Sequence, residues 1–267
     1  MHRHLLVSDL DGTLLNEYGN VTDATVEAVR ALRDAGHYFT VATGRSPMMT
    51  KPILEKLEID LPVITYNGAC LYDPRSDRPI FTRTYSSESS KELLHYLREK
   101  EYHFHVLADG AFHVDEGTIT RYEWYRSNKD FHIHVLSPAS PLHSIAKTTV
   151  MVEEKELLPV WNELVQAFPR WSIYASSPQT IDIHAANTSK GRTLEHLTRE
   201  LKVPMKQTIT FGNYYNDIDM LQVADLGIAV KNAPPAVKVE ADLLIDSHEN
   251  NAVANFMNLY FKLPQAT

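Results

Sequence analysis

The sequence predicts an α/β protein in which a doubly wound parallel sheet forms the core and an α+β module is inserted into it. Strand and helix signals alternate over the first 70 residues, and the same alternation returns near the end of the 267-residue chain. Between them lie two hairpin signals. Parallel strands need a long crossover connection, whereas hairpins join antiparallel strands. We therefore expect a discontinuous core over 1–84 and 185–267 and an inserted α+β domain over 85–184.

The core elements follow from apolar runs and from helix-end signals. Thr22 can cap the N-terminus of the first helix, and Pro47 suits the first turn of the second. Short connections favour strands that run parallel in one sheet. The predicted strands are Leu5–Ser8, Tyr38–Ala42, Pro62–Tyr66, Gln207–Phe211, Gly227–Val230 and Leu243–Ile245. The predicted later helices are Arg192–Leu201, Ile218–Val223 and Ala252–Tyr260.

The inserted module is predicted from its turns. Asp109-Gly110 and Ser177-Pro178 are each flanked by strand-like runs, which indicates two hairpins. Helical patterns over Ser90–Lys100 and Leu157–Phe168 accompany them. Hairpins mixed with helices are typical of an antiparallel α+β domain.

Composition excludes several classes of protein. Hydrophobic residues make up 43% and charged residues 22% of the chain, which is ordinary for a globular protein. The net charge of −8 argues against a surface that binds nucleic acid or an anionic membrane. The single cysteine, Cys70, excludes an intrachain disulfide and is expected in the core. The sequence has no signal-peptide apolar region and no membrane-spanning run, so we expect a cytoplasmic protein, either a monomer or a homodimer.

Two aspartates at the end of the first strand are the strongest sign of chemistry. The run Asp9-Leu10-Asp11-Gly12-Thr13 follows directly on the strand Leu5–Ser8. Residues two apart in an extended chain point to the same side, so the two carboxylates repel unless a cation or strong donors compensate them. Gly12 permits a sharp turn just after them. The pattern favours a metal-assisted phosphoryl-transfer site over the alternative, an Asp-Gly turn with a solvated aspartate.

Groups suited to binding an anion are expected at the same edge of the sheet, because open α/β sheets bind ligands at the carboxyl ends of their strands. Thr43-Gly44-Arg45 offers a hydroxyl, a glycine amide and a helix start after the second strand. Lys190, together with Arg192, lies at the start of a later helix, where the helix dipole disfavours a cation unless an anion lies nearby. The alternatives are a helix cap at Thr43 and a solvated surface lysine at position 190.

A further polar run follows the strand that ends at Phe211. In Gly212-Asn213-Tyr214-Tyr215-Asn216-Asp217, the side chains of Asn213 and Asp217 can complete a cation site opposite Asp9. The alternative is that Asp217 only caps the helix that follows.

In their order along the chain, these motifs resemble those of the haloacid dehalogenase-like phosphohydrolases, specifically the Cof-type sugar-phosphatase branch, which has a Rossmann-like core and a large C2-type cap. The resemblance covers essentially the whole chain. The matching segments are Asp9-Leu10-Asp11-Gly12-Thr13, Thr43-Gly44-Arg45, Tyr66-Asn67-Gly68-Ala69, Ser189-Lys190-Gly191 and Asn216-Asp217-Ile218-Asp219-Met220-Leu221. The resemblance implies that the inserted module is a lid that excludes water from the site and selects the substrate through its leaving group.

The resemblance also implies a phosphatase that hydrolyses small phosphorylated metabolites with Mg²⁺. Asp9 would attack the phosphorus and form an aspartyl-phosphate. Asp11 would protonate the leaving alkoxide and then activate water, and Lys190 would complete the catalytic set. The implied Mg²⁺ ligands are Asp9, Asp11, Asn213 and Asp217. The implied phosphate-binding residues are Asp11, Gly12, Thr43, Gly44, Lys190 and Asn216, while Arg45, Asn67 and Gly68 would face the substrate or the cap.

One position departs from the family pattern. Asn213 stands where the family usually has an aspartate that binds magnesium. An asparagine keeps a carbonyl oxygen but loses a negative charge, so we expect weaker metal binding or a larger share for Asp217. Two alternatives to a phosphatase stay open at this stage: a phosphomutase of the same superfamily, and a catalytically impaired protein that binds a phosphate ligand.

Overall fold

The chain divides into two compact units. The computed structural model describes residues 3–127, 131–137, 142 and 144–264. Unit 1 comprises Met1–Phe81 and Ser189–Thr267, and unit 2 comprises Thr82–Thr188. These bounds differ from the predicted ones by three residues at the first junction (81 against 84) and by four at the second (188 against 184). Among the residues that the structure describes, no helix is both long enough and apolar enough to cross a membrane.

The described residues form fourteen strands and ten α-helices. In chain order the strands are β1 (Leu5–Ser8), β2 (Tyr38–Val41), β3 (Val63–Thr65), β4 (Cys70–Asp73), β5 (Arg78–Thr82), β6 (His103–Ala108), β7 (Ala111–Val114), β8 (Ile133–Val135), β9 (Ile145–Met151), β10 (Ser172–Ser177), β11 (Thr180–His184), β12 (Thr208–Gly212), β13 (Leu226–Val230) and β14 (Leu243–Ile245). The helices are α1 (Asp23–Asp34), α2 (Pro47–Lys56), α3 (Ser87–Glu99), α4 (Glu116–Arg121), α5 (Glu123–Ser127), α6 (Leu157–Ala167), α7 (Lys190–Leu201), α8 (Ile218–Val223), α9 (Pro235–Lys238) and α10 (Ala252–Tyr260).

Five parallel strands form the main sheet of unit 1, in the order β14-β13-β12-β1-β2. The predicted parallel core is therefore confirmed. Strand β1 lies between β12 and β2, so the residues that follow these three strands meet at one edge of the sheet. Thr22 caps α1 as predicted, because its Oγ1 accepts a hydrogen bond from the backbone N–H of Thr25 (3.2 Å).

The third predicted strand does not extend this sheet. Strand β3 pairs with β4 in a separate sheet that also holds β5, and the pairing of β3 with β4 is antiparallel. It touches the main sheet through one parallel bridge, between Ala42 and Ile64. The cause is a chain reversal over Tyr66–Gly68, where all three φ angles are positive. The prediction of Pro62–Tyr66 as a full strand of the parallel sheet is therefore wrong in its pairing.

A hydrophobic cluster fixes β1 against α7 and α8. Burying one leucine side chain contributes roughly 1.5–3 kcal/mol, so several such residues hold these elements firmly. Helix α7 begins at Lys190, two residues before the predicted start, because Ser189 Oγ accepts a hydrogen bond from the backbone N–H of Arg192 (3.2 Å). Lys190 therefore lies in the first turn of α7. The fully buried members of the cluster in these three elements are Leu5, Val7, Leu194, Leu197 and Met220.

Unit 2 is built on a six-stranded sheet in the order β10-β11-β9-β6-β7-β8. Neighbouring strands pair antiparallel, except that β7 and β8 are parallel. Both predicted hairpins are confirmed, since β6 and β7 flank Asp109-Gly110 and β10 and β11 are joined around Pro178. The α+β character predicted for this part of the chain is present.

One face of this sheet carries a buried ion pair. Lys147 Nζ lies 3.1 Å from Asp182 Oδ2, and Thr149 donates a hydrogen bond to Asp182 Oδ1 (2.7 Å). The strand register places Thr149 opposite both His105 and Asp182. Burial raises the pKa of Asp182, but the Lys147 ammonium and the neighbouring groups more than offset this and lower it to about 2. The pair is therefore ionised inside the fold.

The variant Asp182→Asn is expected to destabilise unit 2 by about 3–5 kcal/mol, because it removes the carboxylate opposite a buried ammonium. Urea unfolding followed by circular dichroism measures the loss. As a control, Glu58→Gln removes one charge of the pair Arg30–Glu58, in which both side chains are 58% exposed, and should cost less than about 1 kcal/mol. Equal losses in the two variants would contradict the ranking of buried over exposed pairs.

Candidate active site

The residues predicted from the strand ends meet at one edge of the main sheet of unit 1. Asp9 follows β1 directly, and its backbone N–H donates a hydrogen bond to the carbonyl of Phe211 in β12 (2.9 Å). The residue is only 6% exposed. The carboxylate of Asp9 is thus held at the sheet edge by the backbone of two neighbouring strands, with little access to water.

A buried lysine joins Asp9 to Asp217. The Nζ atom of Lys190 donates hydrogen bonds to Oδ1 of Asp9 and to Oδ1 of Asp217, each at 2.6 Å, and the lysine side chain is fully buried. Burial lowers the pKa of Lys190, but the carboxylates of Asp217 and Asp9 raise it by more, so the side chain stays an ammonium. Burial raises the pKa of Asp9, and Lys190 opposes that rise. The anion expected near the lysine is therefore supplied by the protein itself.

Asp217 is fixed by backbone donors as well as by Lys190. Its Oδ2 atom accepts hydrogen bonds from the backbone N–H groups of Asn213 (2.9 Å) and Tyr214 (3.0 Å). A Cβ atom at Gly212 would lie 2.5 Å from Cβ of Asp217, so this close approach requires glycine. In the part of the chain that the structure describes, Asp217 makes no capping hydrogen bond to α8. The alternative that it merely caps that helix is wrong.

The negative charge of Asp11 is balanced by a different cation from the one that pairs with Asp9. Its side chain is 58% exposed and meets Arg45, whose Nε and Nη2 atoms donate hydrogen bonds to Oδ2 (2.8 Å) and Oδ1 (2.5 Å). The two aspartates thus pair with two different protein cations. Arg45 holds Asp11, and its predicted position facing the substrate or the cap stays a prediction. Both carboxylate oxygens of Asp11 are engaged by this guanidinium.

Thr43, Gly44 and Asn216, the residues predicted to bind phosphate through neutral groups, lie beside these charges. Thr43 is fully buried and does not cap α2, since Ser46 does so. Asn216 Nδ2 donates a hydrogen bond to Asn67 Oδ1 (3.0 Å), and a Cβ atom at Gly44 would lie 2.8 Å from that same oxygen. The Oδ1 atom of Asn216 is buried and has no hydrogen-bond partner among residues 3–127, 131–137, 142 and 144–264. Its amide therefore has one hydrogen-bonding atom available for a ligand.

Gly68 supports Lys190 from outside the site. A Cβ atom at Gly68 would lie 2.0 Å from the carbonyl oxygen of Ser189, and the Gly68 carbonyl accepts a hydrogen bond from Thr193 Oγ1 (2.7 Å). The chain reversal after β3 therefore packs directly onto the first turn of α7. Gly68 thus contacts α7, and Asn67, which is 1% exposed, accepts a hydrogen bond from Asn216; that these two residues face the substrate or the cap stays a prediction.

One end of the Asn213 amide lies among three oxygens. It is 3.2 Å from Oδ2 of Asp9, 3.0 Å from the main-chain carbonyl of Asp11 and 3.1 Å from Oγ1 of Thr13. Thr13 Oγ1 donates a hydrogen bond to Oδ1 of Asn213 at this end, and that oxygen repels the oxygens of Asp9 and Asp11 unless a cation lies between them; without a cation, the amide nitrogen would take this place. Gly12 has a φ of 75°, and a Cβ atom on it would lie 2.5 Å from the other end of the Asn213 amide. The glycine is thus required both for the turn and for this contact.

Two supporting residues, Thr193 and Asn232, were not predicted from the sequence, and Asp219 was noted there only as part of a matching segment. Asn232 Nδ2 donates a hydrogen bond to the Gly12 carbonyl (2.8 Å), and Asp219 accepts one from the backbone N–H of Gly191 (3.0 Å). Asn232 follows β13 by two residues, so the rule that strand ends carry the site could have found it. The contact of Asp219 with Gly191 was not predictable, because an acidic residue in the first turn of a helix is also explained by the helix dipole.

The oxygens at this edge suit a hard divalent cation. Oδ2 of Asp9 and the carbonyl of Asp11 converge on one point, each within 3.2 Å of the Asn213 amide. Burial raises the pKa of Asp9 to about 7, and when Asp9 is ionised, Asp9, Asp217 and Lys190 together carry a net charge of −1 (two carboxylates and one ammonium). Carboxylate and carbonyl oxygens are the ligands that Mg²⁺ prefers. Within the described ranges, no three His, Cys, Asp or Glu side chains form a metal site by themselves, so a cation here also needs main-chain and amide oxygens.

The chain is similar to known proteins over almost its full length. A family model described as haloacid dehalogenase-like hydrolase matches residues 6–257. The 5-amino-6-(5-phospho-D-ribitylamino)uracil phosphatase YitU of Bacillus subtilis (strain 168) is 27% identical over 278 residues, covering 97% of this chain and 98% of that protein. The pyridoxal phosphate phosphatase YbhA of Escherichia coli (strain K12) is 26% identical over 267 residues, covering 96% and 98%.

Solved structures share the same fold. A haloacid dehalogenase-like hydrolase from Bacteroides thetaiotaomicron superposes with a TM-score of 0.81 at 21% identity, covering 97% of this chain and 100% of that one. A HAD subclass IIB sugar phosphatase superposes with a TM-score of 0.82 at 23% identity, covering 97% and 99%. The predicted fold class is confirmed by these similarities.

The variant Gly68→Ala is expected to destabilise unit 1 by roughly 2–4 kcal/mol, because the new methyl group would overlap the Ser189 carbonyl and because φ is +93°. Gly36→Ala is the matched control, since φ is +87° there but nothing lies within 4 Å of the added Cβ atom. That variant should lose only about 1 kcal/mol. Urea unfolding compares the two. Equal losses would mean that the contact between the chain reversal and α7 is not tight.

Proposed function

Because this chain belongs to the haloacid dehalogenase-like hydrolase family, we propose that it is a Mg²⁺-dependent phosphatase that acts on small phosphomonoesters through an aspartyl-phosphate. The observation that carries the proposal is the buried Lys190, which holds the carboxylate of Asp9 at the carboxyl edge of a parallel sheet. The expectation of an enzyme is met, since the family is one of hydrolases and the relatives YitU and YbhA are named phosphatases.

Asp9 is the proposed nucleophile. One of its carboxylate oxygens forms a bond to phosphorus while the bond from phosphorus to the leaving alkoxide breaks, which transfers the phosphoryl group to Asp9. Lys190 fixes Asp9 through Oδ1 (2.6 Å), and its ammonium offsets negative charge that develops on the phosphoryl oxygens. Asp9, the carbonyl of Asp11, Asn213 and Asp217 would hold Mg²⁺, which when bound neutralises charge on the phosphate.

Asp11 is the proposed general acid and base. It gives a proton to the leaving alkoxide and then takes one from the water that attacks the phosphorus, which releases phosphate and restores Asp9. Since both oxygens of Asp11 accept hydrogen bonds from Arg45, Asp11 must leave that guanidinium before it acts. Thr43, the Gly44 amide and Asn216 are the proposed ligands of the phosphate oxygens.

Unit 2 is the proposed cap, and its side chains are expected to select the leaving group. The two relatives compared above are named for phosphorylated small molecules, which supports a substrate of that class. The cytoplasmic location stays a prediction, and so does an assembly that is either a monomer or a homodimer.

The variant Asp9→Asn is expected to lower the turnover of p-nitrophenyl phosphate with Mg²⁺ by about three orders of magnitude or more, because an amide cannot serve as the nucleophile. Release of p-nitrophenol measures the rate. Asp23→Asn is a control of the same chemistry at a carboxylate whose side chain is 95% exposed, and it should keep the wild-type rate.

Retained turnover in Asp9→Asn would contradict the assignment of the nucleophile. Incubation with a hexose phosphate separates the phosphatase from a phosphomutase. Free phosphate marks hydrolysis, whereas an isomeric hexose phosphate formed without free phosphate would contradict the proposed reaction.

A further inference from the structure

We propose that unit 1 carries a second anion-binding site, separate from the candidate active site, that takes a small molecule bearing a phosphate group. The site is a cavity of about 260 Å³ at the edge of the main sheet where β1 and β2 begin. The proposal does not depend on the proposed catalytic function, because its residues are different ones. The charged and aromatic side chains that define the cavity are those of Arg3, Arg33, His37, Tyr38, Asp60 and Arg75.

The cavity lies at the opposite ends of β1 and β2 from the candidate active site. Arg3 comes two residues before β1, and Tyr38 is the first residue of β2. The backbone N–H of Tyr38 donates a hydrogen bond to the carbonyl of His4 (2.8 Å), which joins the two strand starts. The four residues of β1 span roughly 13 Å, so the cavity and the candidate active site are separated by the length of the strand.

Positive charge is concentrated in this cavity. Its described lining residues include three guanidinium groups and one carboxylate, which together carry a charge of +2, whereas the whole chain carries −8. Burial lowers the pKa of His37, and the neighbouring His4 and Arg3 lower it further, as expected where cations gather. A concave surface lined by one sign of charge attracts ligands of the opposite sign. The cavity therefore favours an anion.

Arg3 is held in place by groups at the end of α1 and the start of β2. Its Nε atom donates a hydrogen bond to the carbonyl of Gly36 (3.0 Å), and its Nη1 atom donates one to the hydroxyl of Tyr38. The guanidinium lies 4.7 Å from the centre of the Tyr38 ring. Arg3 thereby covers a carbonyl that would otherwise repel an anion. A guanidinium has five N–H donors, so these two bonds leave donors for a ligand.

Asp60 shows that an oxyanion already fits between two of the arginines. Its Oδ2 atom accepts a hydrogen bond from Nη2 of Arg75, and its Oδ1 atom lies 3.9 Å from Nη2 of Arg33. Nη1 of Arg33 donates to the carbonyl of Glu58 (2.6 Å), which fixes that guanidinium. Among the described residues that line the cavity, Asp60 is the one carboxylate, and it offsets the charge of only one of the three arginines.

The number and origin of the arginines favour phosphate over carboxylate. One guanidinium can bind both oxygens of a planar carboxylate, whereas the oxygens of a tetrahedral phosphate point in several directions and suit cations from separate segments. A phosphate monoester carries a charge of about −1.5 to −2 near pH 7, which matches the +2 of the cavity. Pockets for drug-sized ligands measure roughly 300–1,000 Å³, so this smaller cavity suits a compact molecule.

The experiment titrates sodium phosphate into the wild-type protein in low-salt buffer with EDTA and follows the backbone amide resonances of the ¹⁵N-labelled chain. The amides of Gly36 and His37 report on the cavity, and those of Gly12 and Gly44 report on the candidate active site. The two sites are thus read separately even where both bind phosphate. We expect the Gly36 and His37 resonances to shift to saturation, and we expect the midpoint to rise with added NaCl because salt screens the charges.

Four variants test which residues bind the anion. We expect Arg33→Gln and Arg75→Gln each to weaken binding roughly tenfold, because each removes charged donors. Asp60→Asn should strengthen binding about threefold or more, because it removes the opposing charge and releases both arginines. Arg30→Gln is the matched control, since Arg30 lies on α1 like Arg33, pairs with Glu58 and is not among the residues that line the cavity. It should change binding by less than about twofold.

Shifts of Gly36 and His37 that do not saturate would overturn the proposal and indicate an adventitious ion only. Equal weakening by Arg30→Gln and Arg33→Gln would also overturn it. If the arginine variants do not fold, Asp60→Asn decides, because a folding defect cannot produce tighter binding, and unchanged or weaker binding by that variant would contradict the proposal. Sodium malonate tests the class of ligand, since tighter binding of this dicarboxylate than of phosphate would overturn the assignment to phosphate.

These measurements do not depend on turnover. A chain that binds phosphate in this cavity but has no phosphatase activity would refute the proposed function and leave the second site intact. An active phosphatase whose Gly36 and His37 resonances do not respond to phosphate would do the reverse.

Discussion

The Lys190 ammonium, buried between the carboxylates of Asp9 and Asp217, is the interaction on which the rest of the site depends. Its three members come from the end of β1, the start of α7 and the turn after β12. Burying charges costs free energy that is recovered only when the geometry is good. The close contacts at Gly68 and Gly212 and the hydrophobic cluster under β1 supply that geometry, because each fixes one of the three segments.

A second property of the site is that its functional groups already have protein partners. Arg45 occupies both oxygens of Asp11, and Lys190 occupies Oδ1 of Asp9. A substrate that engages Asp11 must therefore displace internal hydrogen bonds rather than water alone. Such a site is stable when empty, and it uses part of its binding energy to rearrange.

The fold could be predicted further from the sequence than the site could. The parallel core and both hairpins were predictable because apolar runs, helix caps and an Asp-Gly turn are local signals. The pairing of β3 was not, since it depends on positive φ angles at Tyr66 and Asn67, which no local pattern requires. At the site, the strand-end rule predicted that Asp9 and Asp217 would lie close together, and the helix dipole predicted an anion near Lys190. The pairing of Arg45 with Asp11 could not be foreseen, because both residues had other plausible partners at the same edge.

The most direct test of the account is whether phosphate passes through Asp9. Acid quenching of the enzyme during turnover of a phosphomonoester with Mg²⁺, followed by peptide mass spectrometry, locates any phosphoryl group on the chain. The account predicts one phosphoryl group on the peptide that contains Asp9. A phosphoryl group on another residue, or none on Asp9 while phosphate is released in a pre-steady-state burst, would contradict it.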